Sequence, residues 1–216
     1  MKIQMIKNRS MLFTETVGGP DGWALNIHLI RGSRYDYLID TGLGARSVEP
    51  VMEYLDVHKP LFIINTHHHW DHTWGNGALE RAVIVAHAAC PALMQEKWSG
   101  AVEKFGRFQS GEVSMRLPDL LFENTLAFPG DGIRLFHTPG HTEDSISILD
   151  EKDGVLNLAD NIGDNMDELV PSLACDNEVY RTTLGLYQQL DFDTVLSGHN
   201  VVLGREVLDK ILNELK

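Results

Sequence analysis

Cysteine is scarce in this chain: Cys90 and Cys175 are the only two. Two thiols in a chain of this length make no disulfide framework; they match the usage of a reducing compartment and read as small core residues rather than nucleophiles. Long apolar runs are missing too. No stretch approaches the roughly 18 consecutive apolar residues that span a bilayer. The opening residues MKIQMIKNRSMLF interrupt their apolar clusters with Lys7, Asn8 and Arg9, unlike a secretory leader. The expected location is cytoplasmic, with no membrane partner. Positive charge is in short supply as well. Lys and Arg number 18 against 31 Asp and Glu, a formal net charge of -13, and such a field repels phosphate backbones and anionic lipid. Nucleic acid is therefore not an expected partner, whereas a small molecule is. No low-complexity tract or polar linker divides the sequence, so residues 1–216 are expected to form a single domain.

Short apolar runs are plentiful. Trp23 to Ile30 and Tyr35 to Ile39 flank Arg31-Gly32-Ser33-Arg34 and predict an antiparallel hairpin. Leu61 to Ile64, Val83 to Ala86, Ile133 to Phe136, Ser145 to Leu149, Val155 to Leu158 and Thr194 to Leu196 predict buried strands. Apolar residues three and four apart predict helices over Ser47 to Leu55, Pro91 to Trp98, Val179 to Leu190 and Glu206 to Leu215. Strands buried by other layers, with helices outside, suggest a sandwich of two sheets. The segment from Cys90 to Phe128 carries Trp98, Phe105 and Phe108 among Lys97, Lys104 and Arg107. It reads first as an amphipathic helix sealing the core and second as a cover over a pocket. The loop from Val17 to Trp23, rich in glycine, is a second candidate pocket wall.

The chemistry collects where the strands end. Thr66-His67-His68-His69-Trp70-Asp71-His72 follows the run Leu61 to Asn65. Side chains two apart in extended chain share a side, so His67 and His69 converge on one ion. Asp71 and His72 are adjacent and diverge, which suits a second ion beside the first. Consecutive histidines are costly to bury without partners. The pattern recurs: Ile133 to Phe136 leads to His137-Thr-Pro-Gly-His141, Val155 to Leu158 to Asp160, and Val195-Leu196 to Ser-Gly-His199. Gly140 and Gly198 give the tight backbone that aims His141 and His199. The other histidines, His28, His58, His68, His87 and His137, are expected to be structural or exposed, with His68 able to orient the loop from behind. Asp40 in Asp-Thr-Gly reads first as a turn cap and second as a group that orients a metal ligand from behind.

With these residues in place the sequence resembles the metallo-β-lactamase superfamily over nearly its whole length, from Asp40-Thr41-Gly42 to His199. The His-x-His-x-Asp-His motif is met by His67, His69, Asp71 and His72, in a form similar to that of glyoxalase II. The resemblance implies an α+β fold, a four-layer αββα sandwich with metals at one edge of its sheets. It implies that His67, His69 and His141 hold one divalent ion, that Asp71, His72 and His199 hold a second, and that Asp160 bridges them. Zinc is the first expectation, with iron or manganese accepted by the same ligands.

Two such ions supply hydroxide at neutral pH for attack on an ester-like centre, a thioester, lactone, phosphoester or amide, with Asp71 orienting the nucleophile. The expected activity is a metal-dependent hydrolase. Because only Asn200 to Lys216 follow His199, no helical substrate domain of the glyoxalase II kind is expected. The alternatives are a mononuclear-iron oxidoreductase of the persulfide dioxygenase type, disfavoured by the full second ligand set, and a non-catalytic metal-binding module, which would have lost a ligand.

Overall fold

The computed structural model describes residues 1–19 and 21–215; Pro20, inside the glycine-rich loop, and Lys216 lie outside the described residues. The chain divides into two units, Met1–Phe122 and Glu123–Lys216. The first unit is built on a seven-stranded sheet in sequential order: β1 (Lys2–Ile6), β2 (Ser10–Val17), β3 (Trp23–Arg31), β4 (Asp36–Ile39), β5 (Leu61–Ile64), β6 (Val83–His87) and β7 (Leu120–Phe122). From β1 to β4 the neighbours pair antiparallel, and from β4 to β7 they pair parallel. The predicted β3–β4 hairpin is present, with Leu29 opposite Leu38. Parallel strands need crossovers, and these are supplied by α1 (Ala45–Met52), by the segment containing α2 (Trp70–Thr73), and by α3 (Cys90–Phe105).

Apolar burial holds this unit together. Phe13, Ile27, Leu29, Leu38, Ile63 and Ile84 from the strands pack with Val48 and Val51 of α1, which stand three apart on its covered face. Removing each such aliphatic side chain from water contributes on the order of 1.5–3 kcal/mol. His28 belongs to this interior as a neutral residue, since burial pulls its imidazole down to about 3. The first two strands escape sequence reading: β1 leaves Lys2 to Met5 exposed, so the short alternation of Ile3 and Met5 with Lys2 and Gln4 marks no covered face. Helix α3 runs well past the predicted Trp98. It fully buries only Cys90 and Met94, so the apolar spacing fades while helix-forming residues continue to Phe105.

The second unit carries a six-stranded sheet in the order β13 (Leu203–Gly204), β12 (Thr194–Leu196), β11 (Val155–Asn157), β10 (Ile146–Asp150), β9 (Ile133–His137) and β8 (Thr125–Phe128). All its pairs are antiparallel except β11 with β12. Helix α4 (Asn177–Gln189) buries Tyr180, Thr183, Leu184 and Tyr187, the spacing of one helical face. That face packs with Leu156 and Val195 of the sheet and with Val207, Leu208 and Ile211 of α5 (Val207–Glu214). No helix among the described residues is long and apolar enough to cross a membrane.

Candidate metal centre

In the first unit the parallel pairing of β4 and β5 decides where the donors go. Ile39 stands beside Ile64 in register, so the chain leaves both strands at the same end and Asp40 meets the segment that begins at Asn65. The Asp40 N–H donates to the Ile64 carbonyl at 3.0 Å. Its backbone takes a φ of 61°, a left-handed conformation uncommon for a residue with a side chain. The carboxylate then lies across the next segment. Oδ1 accepts from the Thr66 N–H at 2.8 Å, while Oδ2 accepts from Thr66 Oγ1 at 2.7 Å and from His72 Nδ1 at 2.7 Å.

These contacts fix two tautomers. A carboxylate only accepts, so His72 carries its proton on Nδ1 and a lone pair on Nε2. The single proton of the Thr66 hydroxyl goes to Asp40, so at the 3.0 Å contact with His67 Nδ1 the hydroxyl oxygen accepts. His67 therefore also presents Nε2 as a lone pair. One buried carboxylate thus prepares two imidazoles for a cation. Burial pushes the Asp40 carboxyl up, opposed by His72 and then by Thr66.

The donor atoms of His67 and His69 lie within 4.8 Å of one another, and their ring centroids are 4.5 Å apart, as the His-x-His spacing predicts. Asp71 and His72 do not diverge. They occupy the single turn of α2, which brings Asp71 Oδ2 to 3.8 Å from His72 Nε2. That turn is tied back to Thr41, whose N–H and hydroxyl both donate to the His72 carbonyl, at 2.9 and 3.1 Å.

The second unit repeats the device. Strands β11 and β12 are its parallel pair, with Asn157 beside Leu196, and Asp160 and His199 each stand three residues further on. Main-chain bonds continue the ladder from Leu158 N to Leu196 O at 2.9 Å and from Gly198 N to Ala159 O at 3.2 Å. Ala159 takes a φ of 47° at the turn into Asp160. His199 Nε2 comes to 3.2 Å from Asp160 Oδ2, and His141 Nε2 to 3.6 Å from the same oxygen. His141 reaches this place through Asn161, whose Oδ1 accepts its N–H at 2.9 Å. Close packing at Gly140 is required: a Cβ there would stand 2.7 Å from Tyr180 Cδ2 and 2.8 Å from Asn161 Oδ1. The His141 Nδ1–H donates to the Ser172 carbonyl at 2.8 Å, which again leaves Nε2 with the lone pair. A lone pair facing a carboxylate oxygen is repulsive until a cation stands between them, so this donor set fits a metal ion.

The family model for the metallo-β-lactamase superfamily matches residues 20–199. The chain belongs to that superfamily. Its fold is the metallo-β-lactamase fold, α+β with two sheets: the solved DIM-1 metallo-β-lactamase superposes with a TM-score of 0.78 at 17% identity, covering 99% of this chain and 95% of that one. Human acyl-coenzyme A thioesterase MBLAC2 is 29% identical over 227 residues, 86% of this chain and 76% of the relative. An N-acyl homoserine lactonase from Bacillus sp is 28% identical over 157 residues, 65% of this chain and 56% of the relative. Membership, with the histidine and aspartate donors described above, makes the chain a metal-dependent hydrolase.

Sequence reasoning ranked the ligand-orienting role of Asp40 below a turn cap, and it missed the roles of Thr66, Asn161 and Ser172 altogether. We expect Asp40→Ala to weaken metal affinity by about 10- to 100-fold, the usual effect of losing a group that orients a ligand. Asp40→Asn, which keeps an acceptor oxygen but no charge, should fall between it and the parent. Chelator competition on variants shown by thermal melting to be folded measures this; an Asp40→Ala protein that holds metal as tightly as the parent would remove the positioning role.

Proposed function

We propose that residues 1–216 act as one catalytic domain with a dinuclear site, in which His67, His69 and His141 hold one ion, Asp71, His72 and His199 hold the other, and Asp160 is shared. The observation that carries this reading is Asp160 Oδ2, faced by the Nε2 atoms of both His141 and His199 at 3.6 and 3.2 Å. A single oxygen between two ligand imidazoles is the arrangement a bridging carboxylate needs. Imidazole and carboxylate donors suit zinc first. When bound, such ions supply Lewis acidity and a water acidic enough to attack near pH 7.

The reaction is hydrolysis of an acyl thioester or lactone. Both named relatives act, by their names, on an acyl carbon joined to sulfur or oxygen, and this chain is 29% and 28% identical to them over the matched residues. Asp71, 8% exposed and next to His72 Nε2, takes the proton of the attacking water and holds it for the departing thiolate or alkoxide. The new C–O bond replaces the C–S or C–O bond to the leaving group. Asp40 keeps His67 and His72 in the binding tautomer throughout. With two cysteines and no membrane-crossing helix among the described residues, a cytoplasmic site of action fits a small-molecule substrate.

Metal analysis paired with assays on acyl thioesters and N-acyl lactones tests the proposal. The expected result is two zinc ions per chain and cleavage of at least one of these substrate classes. One iron with oxygen consumption would replace it with the oxidoreductase reading, and bound metal without turnover with a binding module.

A further inference from the structure

Within the first unit a cavity of about 450 Å3 opens between α3 and the segment that carries the histidines. Its walls include His69, Trp70, Trp74, Met94, Trp98 and Phe105. We infer that this cavity receives the acyl chain of the substrate and that Trp98 and Phe105 limit the chain length accepted. The inference rests on the hydrolase reading and adds the substrate's chemical class.

The wall is aromatic and already ordered. Trp70 stacks on Phe105 with centroids 4.6 Å apart and planes 9° from parallel. Trp74 meets Trp98 edge-on at 6.4 Å. Trp23 and Phe108 buttress Trp70 from another side, at 6.1 and 5.8 Å. Such rings hold their positions without a ligand, so little conformational entropy remains to be lost when an alkyl chain arrives. The cavity follows from how α3 is made. Beyond Met94 its side chains are half-buried or exposed, and the rings of Trp98 and Phe105 border space that no other side chain fills. Apolar surface left in this state gains free energy when an apolar ligand covers it.

Charge argues for an alkyl chain over an anion or peptide. The basic residues at this cavity are engaged where they stand: Lys97 pairs with Glu96 at 2.6 Å, and the Lys104 ammonium lies 4.8 Å over the Phe105 ring. Position argues for the acyl part of the substrate. His69 belongs both to this wall and to the donor pair with His67, so a chain in the cavity starts beside the place where the carbonyl is attacked. At roughly 30 Å3 per methylene, close to the share of a water molecule in the liquid, the roughly 450 Å3 takes about fifteen carbons.

The test uses N-acetylcysteamine thioesters from acetyl to octadecanoyl on the metal-loaded full chain. We expect kcat/KM to rise about two- to fourfold per added methylene, as chain burial implies, and to level off at about fifteen carbons, the length the cavity volume sets. Trp98→Ala should move that limit to longer chains. Gly100→Leu should move it to shorter ones, and it is sterically mild because a Cβ at Gly100 meets no atom within 4 Å. Decanoate titrated against tryptophan fluorescence reads the pocket without turnover, and binding should weaken in Gly100→Leu. Cleavage indifferent to chain length, or the same profile in both folded variants, would overturn the pocket and leave the hydrolase intact. Absence of thioester cleavage with decanoate binding that Gly100→Leu weakens would uphold the pocket and overturn the thioester reading.

Discussion

Asp71→Asn should lower turnover by roughly two to four orders of magnitude, the range in which a positioned acid–base group contributes. Asparagine keeps the size and the single turn of α2, but it has neither the charge nor the capacity to accept a proton. Because the side chain is 8% exposed and its Oδ2 stands 3.8 Å from His72 Nε2, the substitution acts at the donor cluster with little call on the rest of the fold. The loss should appear in kcat and kcat/KM together, with KM changing much less, since the interaction removed operates in the transition state. Metal content must be measured on the same sample. A fall in activity that tracks metal loss would leave Asp71 as a ligand alone, and near-normal turnover with both ions bound would defeat its catalytic role.

Asp160→Ala is expected to have the other large effect, on metal occupancy. Asp160 Oδ2 lies within 3.6 Å of two imidazoles, so its removal takes away the one oxygen proposed to serve both ions. Affinity at the second site should fall by more than about 100-fold, beyond what loss of an orienting group alone produces. The melting temperature should move little. Asp160 sits in the turn after β11, outside the apolar cluster formed by Leu156, Leu158, Tyr180 and Val195. Equilibrium dialysis followed by elemental analysis separates these effects. Retention of both ions by a folded Asp160→Ala protein would sink the bridging assignment.

Much of this arrangement was legible in the residues because the donors and the strand ends coincide. Apolar runs in strands buried on both faces announce themselves without alternation, and four of them, Leu61 to Ile64, Ile133 to Phe136, Val155 to Leu158 and Thr194 to Leu196, are followed within a few residues by His67, His141, Asp160 and His199 in turn. What stayed hidden depends on contacts between distant segments. Asp40 is 32 residues from His72, and only the parallel placement of β4 beside β5 makes the carboxylate its partner; in sequence, Asp-Thr-Gly reads first as a turn and does not say which histidine the carboxylate would hold. The group that orients His141 is a carbonyl, that of Ser172, and a main-chain acceptor leaves no mark on residue type. The short α2 turn hid in the same way, since its four residues carry no helical period. The length of α3 was unreadable for a different reason. Its later turns meet a cavity, so the burial pattern that reveals helices is absent there.

The two parallel steps, β4 with β5 and β11 with β12, bear on how such a chain tolerates change. The main chain sets the registers there, and substitution of side chains leaves those hydrogen bonds in place, so the sheet interior can drift widely while Asp40 stays within hydrogen-bond reach of Thr66 and Asp160 stays level with His199. Insertions are another matter. One residue added between Asn157 and Asp160, or between Leu196 and His199, would rotate a donor away from its neighbour, whereas residues added after Met94 in α3 would alter the cavity and leave the donors where they are. Selection for new substrates can therefore act on one crossover helix while the steps that carry the donors remain fixed in length.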